Sequence, residues 1–468
     1  MHAGTLQWAV FLGLTTLVAG LTWWRCRVAS HDSQATREFF LAGGGLSWVF
    51  VAGSLLLTNI SAEQIVGMNG AQMLLVAWWE FGAAAGLLIL ARVLIPLYYE
   101  YGCTTTTELL EKRFGDSGIR AAVSLLFLLG YLFILLPVVL YTGSVFMKSM
   151  FQLDFHVVTI AAWFAIAGLA YAAFGGLRAI AISDTFNGLG LLAMGLLVTF
   201  FAMQAIDWDL SGIPVERLSL IGADDSDIPW HTLLTGMVFI HLFYWGTNMV
   251  IAQRAMAARS VREAQKGIYA AAAFKMIIPA VVVLPGVIAF KLYGDVGDVA
   301  YGKLVGDVLP SWLSGAFAAV ITGAVLSSYN SCLNSAAALY TCDLHVKYIN
   351  PNANVKRIGQ MVAVLFTLGS VALVPVYEQA RSIVDTMQRL NGLYSMPVLA
   401  VFIAAVFFHR QITARWAKLG LLFGALLYAL FTFAWTPLHY IHLMFITLCS
   451  SLMLMWIGSR LFPTSPSR

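Results

Sequence analysis

Charge is what this chain has least of. Asp, Glu, Lys and Arg make up 11% of its 468 residues, against 60% apolar residues. An ordinary soluble domain carries about 25% charged residues, so most of this surface is not built to face water. Cysteine is scarce as well. Cys26, Cys103, Cys332, Cys342 and Cys449 are scattered and form no CxxC, which excludes a disulfide framework or a zinc site. No Lys or Arg precedes the apolar stretch 7–24. A cleaved signal peptide wants a basic leader, so this stretch reads as a retained first span. Absent too are a convincing nucleophile–base set, a metal motif and a long polar segment at either end. An enzyme, or a fused kinase or hydrolase, is therefore not expected. Nor is a nucleic-acid partner, because topology accounts for the net charge of +4.

What the chain does have is long apolar runs, such as residues 271–290, AAAFKMIIPAVVVLPGVIAF. About 20 such residues cross a bilayer as a helix. Thirteen spans are predicted, at 7–24, 47–68, 73–98, 120–147, 156–174, 186–206, 232–252, 267–291, 308–342, 358–377, 382–408, 416–435 and 439–459. The ninth is too long for a simple crossing and should tilt or extend beyond the lipid. With the N-terminus outside and the C-terminus cytoplasmic, nineteen of the 27 Lys and Arg fall on the inner side and five on the outer. Arg92, Lys275 and Arg389 remain within spans. A missed or invented span would invert the later loops and spoil this bias. The expectation is an all-α integral membrane protein with the lipid bilayer as its first partner.

Polar groups inside spans point to where chemistry sits, because a charge at the bilayer centre costs about 2.5–3.5 kcal/mol on insertion scales. Glu63, Glu80, Lys275 and Gln388 are such groups. For Glu80 and Lys275 the alternative to a functional role is a buried structural ion pair between two helices. The second span carries Thr58, Asn59, Ser61, Glu63 and Gln64, bounded by Gly67 and Gly70. That cluster suits a broken helix beside a cavity, where unwound carbonyls can hold a cation and amides can hold a solute. In the ninth span Ser327, Ser331 and Ser335 recur every four residues and share a face, with Ser328 beside them. Such hydroxyls are neutral hard ligands suited to Na⁺. Equally, small residues permit close helix packing, with hydroxyls bonding across the interface.

At these clusters the sequence resembles the solute:sodium symporter family. The resemblance runs in order through NISAEQIVGMNG, WWEF, TTTTELLEKRFG, YAAFGGLRAIAISDTFNG, YWGTNMVIAQRAMAARSVREAQKG, FKMIIPAVVVLPG and LSSYNSCLNSAAALYTCDLH. It covers about residues 45–410 and looks most like the family's bacterial sodium–galactose members. It implies a LeuT-type fold of two inverted five-helix repeats, with sites at helix breaks near the midplane. An accessory helix and loop would occupy 1–46 and a transport core 47–408, with repeats at about 47–206 and 232–408. Two accessory helices would follow at 409–468.

By motif position the resemblance implies sodium ligands at Leu57, Ile60, Ala324, Ser327 and Ser328, and a sodium exit residue at Asp184. The implied solute site is Asn59, Gln64, Glu80, His241, Tyr244, Lys275 and Gln388, with Tyr244 stacking on the solute. The implied gates are Met68, Trp79, Trp245 and Val384. His241 stands where the galactose members have asparagine, and Ala83 where they have serine. The expected activity is sodium-coupled import of a small polyhydroxylated solute, a monosaccharide above all, across the bacterial inner membrane. Na⁺ would be the coupling ion. Other solutes, such as a carboxylate or an amino acid, and a non-transporting sensor are the alternatives. Oligomeric state is left open.

Overall fold

The computed structural model describes residues 4–27, 41, 44–60, 62–380 and 382–462. The side chains of 19, 21–27, 57–59, 62, 171–183 and 185–186 fall outside that description. The regular structure of the described chain is almost entirely helical, as the long apolar runs require. A backbone in lipid must satisfy its own hydrogen bonds, and a helix does so locally. In chain order the helices are α1 (Thr5–Arg27), α2 (Trp48–Asn59), α3 (Ala62–Gly70), α4 (Trp78–Ile89), α5 (Ile95–Glu100), α6 (Glu108–Phe114), α7 (Ser117–Gly130), α8 (Leu136–Phe151), α9 (Val157–Ala205) and α10 (Gly236–Leu242). The rest are α11 (Met249–Met256), α12 (Val261–Phe274), α13 (Pro279–Val282), α14 (Leu284–Tyr293), α15 (Ala300–Val308), α16 (Ser311–Ala338), α17 (Val355–Tyr377), α18 (Ile383–Phe407), α19 (Ala414–Phe433) and α20 (Tyr440–Leu461).

Among the described residues eight helices are long and apolar enough to cross a membrane, and nine if the pair 261–274 and 279–293, bent by 49°, is one span. This falls short of thirteen for a physical reason. The other four expected spans are helical but broken or short. The second and seventh are interrupted, and the first and fifth provide apolar helices at Thr5–Val18 and Val157–Ala170. The fifth and sixth expected spans are joined as α9, 49 residues of helix. A straight helix of that length would measure about 74 Å, far beyond one bilayer. Yet a Cβ on Gly168 would meet Tyr329, and Asp184 bonds Ser327, so two distant parts of α9 line the same stretch of α16.

The interruptions fall in the first span of each expected repeat. Between α2 and α3 the backbone leaves the helix at Ile60 (φ −78°, ψ 75°). Between α10 and α11 a π-helical turn at 243–247 ends on extended Asn248, whose side chain accepts from the Val250 N–H and so restarts the helix. The hydroxyl of Tyr131 donates to the same carboxamide oxygen at 2.7 Å. Proline produces another departure. Pro137 lacks an N–H and would crowd the carbonyl of Phe133. A π-turn at 131–135 precedes it, and Tyr377 donates to the freed Phe133 carbonyl at 2.5 Å.

The core of the bundle is α16, whose run of Ala, Ser and Gly lets neighbours approach closely. It packs against α1, α2, α8, α9 and α17. The fold therefore places both broken spans and the serine-rich face at the centre of the molecule.

Candidate functional site: a cavity at the broken spans

Gln64 starts the site. It lies in the first turn of α3, directly after the break. Its amide donates to Glu80 Oε1 at 2.6 Å, and Lys275 Nζ donates to Glu80 Oε2 at 2.6 Å. Both charged side chains are fully buried. Glu80 sits in the first turn of α4, where the helix dipole favours an anion. Lys275 caps the C-terminal end of α12, where the dipole favours a cation, and its ammonium also lies 4.8 Å from the Trp245 ring. The restart of the broken second span, the third span and the bent eighth span are thus tied together through one carboxylate.

In front of this triad lies a cavity walled by Gln64, Met68, Trp79, His241, Tyr244, Trp245, Val384 and Gln388, with Glu63, Leu135, Ile240, Met387 and Asn391. The first eight are residues the sequence pointed to. The last five were not assigned to the solute site; Glu63 stood out as an intramembrane acid, whereas Leu135 and Ile240 look like ordinary apolar residues of a span. Glu80 and Lys275 do not line the cavity. They are fully buried and bonded to each other, and Glu80 joins them to Gln64 on the cavity wall. The side chain of Asn59 lies outside the described residues.

Tyr244 and Trp245 meet edge to face at 5.4 Å, and both line the cavity. Two close approaches narrow the site. A Cβ on Gly67 would overlap Val384, which places α18 directly on α3. A Cβ on Gly70 would lie 2.9 Å from the Asp298 Cα, so the turn 297–299 covers the end of α3.

Asp298 is largely buried in that turn. Burial pushes its carboxyl up to about 6, although a hydrogen bond from the backbone of Ile383, the first residue of α18, lowers it. The packed state therefore prefers the protonated acid. Its packing is strongest below the ordinary carboxylate value of about 4 and weakens as pH rises to about 6. Asp298→Asn should raise the melting temperature at pH 7.5 and leave it unchanged at pH 4. An equal effect at both pH values would contradict this account.

A second polar centre lies among α2, α9 and α16. Asp184 receives the hydroxyl of Ser54 at 2.8 Å and that of Ser327. Ser327, Ser328 and Ala324 are buried on α16, and Ile60 at the α2 break is 2% exposed. Leu57 belongs to the last turn of α2, where carbonyls lose their helical partners; only its backbone is described. Further along the serine face, Ser331 accepts from Arg254 and Ser335 donates to Gln253 Oε1 at 3.0 Å. The hydroxyls of Ser331 and Ser335 thus bond across a helix interface, the alternative raised for this face. The neutral and anionic oxygens near Ser327 suit a small hard cation.

A third centre was missed. Asp343, at the end of the ninth span, is fully buried. It holds Arg120 (Nη2 2.6 Å), Thr105 (2.9 Å), Thr107 and Ser124. The TTTT run was read only as part of a family motif. Its signal was the density of hydroxyls in a segment with no span to fill.

The description "sodium:solute symporter family" matches residues 39–424. The chain is 35% identical to the uncharacterized symporter YidK of Escherichia coli (strain K12), over 97% of this chain and 83% of that protein. It is 30% identical to the sodium/glucose cotransporter of Vibrio parahaemolyticus, over 90% and 84%. In fold it is similar to a Na⁺-coupled sialic acid symporter in a substrate-bound outward-open state, with a TM-score of 0.84, 18% identity and 99% of both chains covered. With its broken spans, its buried polar cavity and a match over most of its length, the chain belongs to the sodium:solute symporter family, with sodium as its coupling ion and transport rather than catalysis as its task.

Proposed function

We propose that the protein imports a small uncharged polyhydroxylated solute, a monosaccharide or a cyclic polyol, together with Na⁺. One observation carries this reading. The buried ammonium of Lys275 is already taken by Glu80, and among the described residues no arginine lines the cavity. A carboxylate solute would want a free cation facing it, and at the N-terminus of α3, which the cavity does reach, the acidic Glu63 opposes an anion. Amides, an imidazole and aromatic faces suit hydroxyls and a ring. The sodium/glucose cotransporter among the relatives supports the same reading.

Sodium would bind between the α2 break and α16, at the carbonyls of Leu57, Ile60 and Ala324 and the hydroxyls of Ser327 and Ser328. Asp184, beside them, would receive the ion on its way to the cytoplasm. Binding of sodium would favour the state in which the solute site is complete, so coupling is a difference in affinity between states. The positive-inside bias supports an N-terminus outside and a C-terminus in the cytoplasm, and the bacterial relatives support a bacterial inner membrane.

The test is a thermal-shift panel of D-glucose, D-galactose, myo-inositol and small carboxylates, with and without sodium. Neutral polyols should raise the melting temperature in sodium and not in choline. A shift with carboxylates alone would overturn the reading. Ser328→Ala removes one oxygen ligand and should move the sodium activation curve of uptake to higher concentration. A curve matching wild type would show that the ion binds elsewhere.

A further inference from the structure

We infer that the turn between α18 and α19 holds the phosphate of an anionic lipid, on the face that the positive-inside bias puts in the cytoplasm. Positive charges gather there without a counter-charge. Arg113, in the last turn of α6, places Nη1 3.5 Å from Nε2 of His409 in the turn. Arg410 follows, and Arg415 enters the first turn of α19. Among the described residues no carboxylate pairs with any of these three arginines. The acids on and just after α6 are engaged elsewhere, Glu108 with Lys112 at 3.4 Å, Glu111 with Arg120 at 3.0 Å and Asp116 with Lys418 at 2.8 Å.

The same turn is short of acceptors. Arg113 Nε, His409 Nδ1 and Thr413 Oγ1 are buried side-chain atoms without a partner. A guanidinium can only donate, so its contact with His409 makes Nε2 the acceptor and leaves the ring proton on Nδ1. Partial burial, then the charges of Arg113 and Arg410, hold this imidazole below its ordinary pKa. The start of α19 repels cations too. Thr413, its N-cap, makes no side-chain capping bond, and the first turn holds no acid. Arg415 therefore faces the positive end of the helix dipole unopposed. Each feature is unfavourable alone, and one anion in front of the turn relieves them together.

The surroundings of the turn say where that anion comes from. Phe407 and Phe408 at the end of α18, and Leu461 and Phe462 at the end of α20, are exposed. Trp416 stacks on Phe462, and Arg113 lies over the Tyr101 ring at 5.4 Å. Aromatic collars of this kind mark the level at which spans leave the hydrocarbon, which sets the arginines among the headgroups. Free phosphate would use the charges and leave the apolar side chains bare. A lipid uses both, its phosphate on the arginines and its chains along the helix ends. Basic pockets between spans on the inner side bind anionic headgroups in this way. A lipid here would link α6 to α19, beside the Lys418–Asp116 bridge.

The experiment uses the delipidated full-length protein in detergent. Melting temperature and native mass spectrometry are read on adding phosphatidylglycerol, phosphatidylcholine or free phosphate as inorganic phosphate and glycerol 3-phosphate. Phosphatidylglycerol should bind about ten- to a hundredfold more tightly than phosphatidylcholine and raise the melting temperature. Arg410→Gln/Arg415→Gln alters two exposed positions and leaves the fold intact. It should cut that preference about tenfold, and Arg113→Gln about fivefold. Lys356→Gln/Arg357→Gln, exposed at the start of α17 on the same face, should keep the wild-type preference. No preference for phosphatidylglycerol, or an equal loss in the Lys356/Arg357 variant, would overturn the site and leave only the attraction of a basic face. Stabilisation by free phosphate as large as that by the lipid would overturn the lipid as its ligand.

Discussion

Lys275→Ala is expected to destabilise the protein by about 3–5 kcal/mol, the usual cost of breaking a buried ion pair from one side. The substitution leaves the Glu80 carboxylate fully buried with Gln64 as its remaining neutral partner. Glu80→Ala should cost a similar amount, because the ammonium is left with the face of Trp245 alone. The double variant Glu80→Leu/Lys275→Met should recover most of the loss, since neither charge is then stranded. It should nonetheless bind neutral polyols weakly, because Gln64 loses the carboxylate that orients it. Thermal unfolding in detergent, run on the two single variants and the double, measures the coupling. Single variants as stable as wild type would show that the pair is solvated in the native protein. Additive losses would show that the two groups act independently.

Asp343→Ala should be the other large loss, again about 3–5 kcal/mol. Its carboxylate joins the π-helical segment 339–349, which continues α16, to α7 and to the 104–107 segment through Arg120 and three hydroxyls. Arg120 keeps Glu111 at 3.0 Å, so it is not stranded completely. Thr105, Thr107 and Ser124 lose the acceptor they share. Asp343→Asn should lose less than the alanine variant, since an amide oxygen can still accept. None of these residues lines the solute cavity, so polyol binding by the folded fraction should match wild type. A variant that melts normally but binds no polyol would reverse this assignment and tie Asp343 to the site.

Much of the architecture could be read from composition and pattern. Excess apolar residues and the bias of Lys and Arg led to a multi-pass helical protein. The polar cluster around Asn59 and Gln64 led to a helix that breaks, because polar backbone and side chains are tolerated within a membrane only beside a cavity. The break at Ile60 lies inside that cluster. The membership of the cavity was legible through motif position, from Gln64 and Trp79 in the first third of the chain to Tyr244 and Gln388 far beyond it. These positions are far apart in the chain, and only the motif order, not hydropathy, links them.

What the sequence could not decide was who bonds to whom. An intramembrane acid and an intramembrane base imply a partner, but charge alone does not say whether that partner is a solute or the other residue. The packing of α4 against α10 and α12 brings Glu80 to Lys275 as an ion pair, with Gln64 on the other carboxylate oxygen. The serine face likewise allowed an ion site or a packing seam, and the tertiary structure divides it, Ser327 towards Asp184 and the later serines towards Gln253 and Arg254. Periodicity fixes which residues share a face of one helix. The neighbour that meets that face is a property of the assembled bundle, because hydrogen bonds depend on ångström distances between elements that the local sequence does not encode.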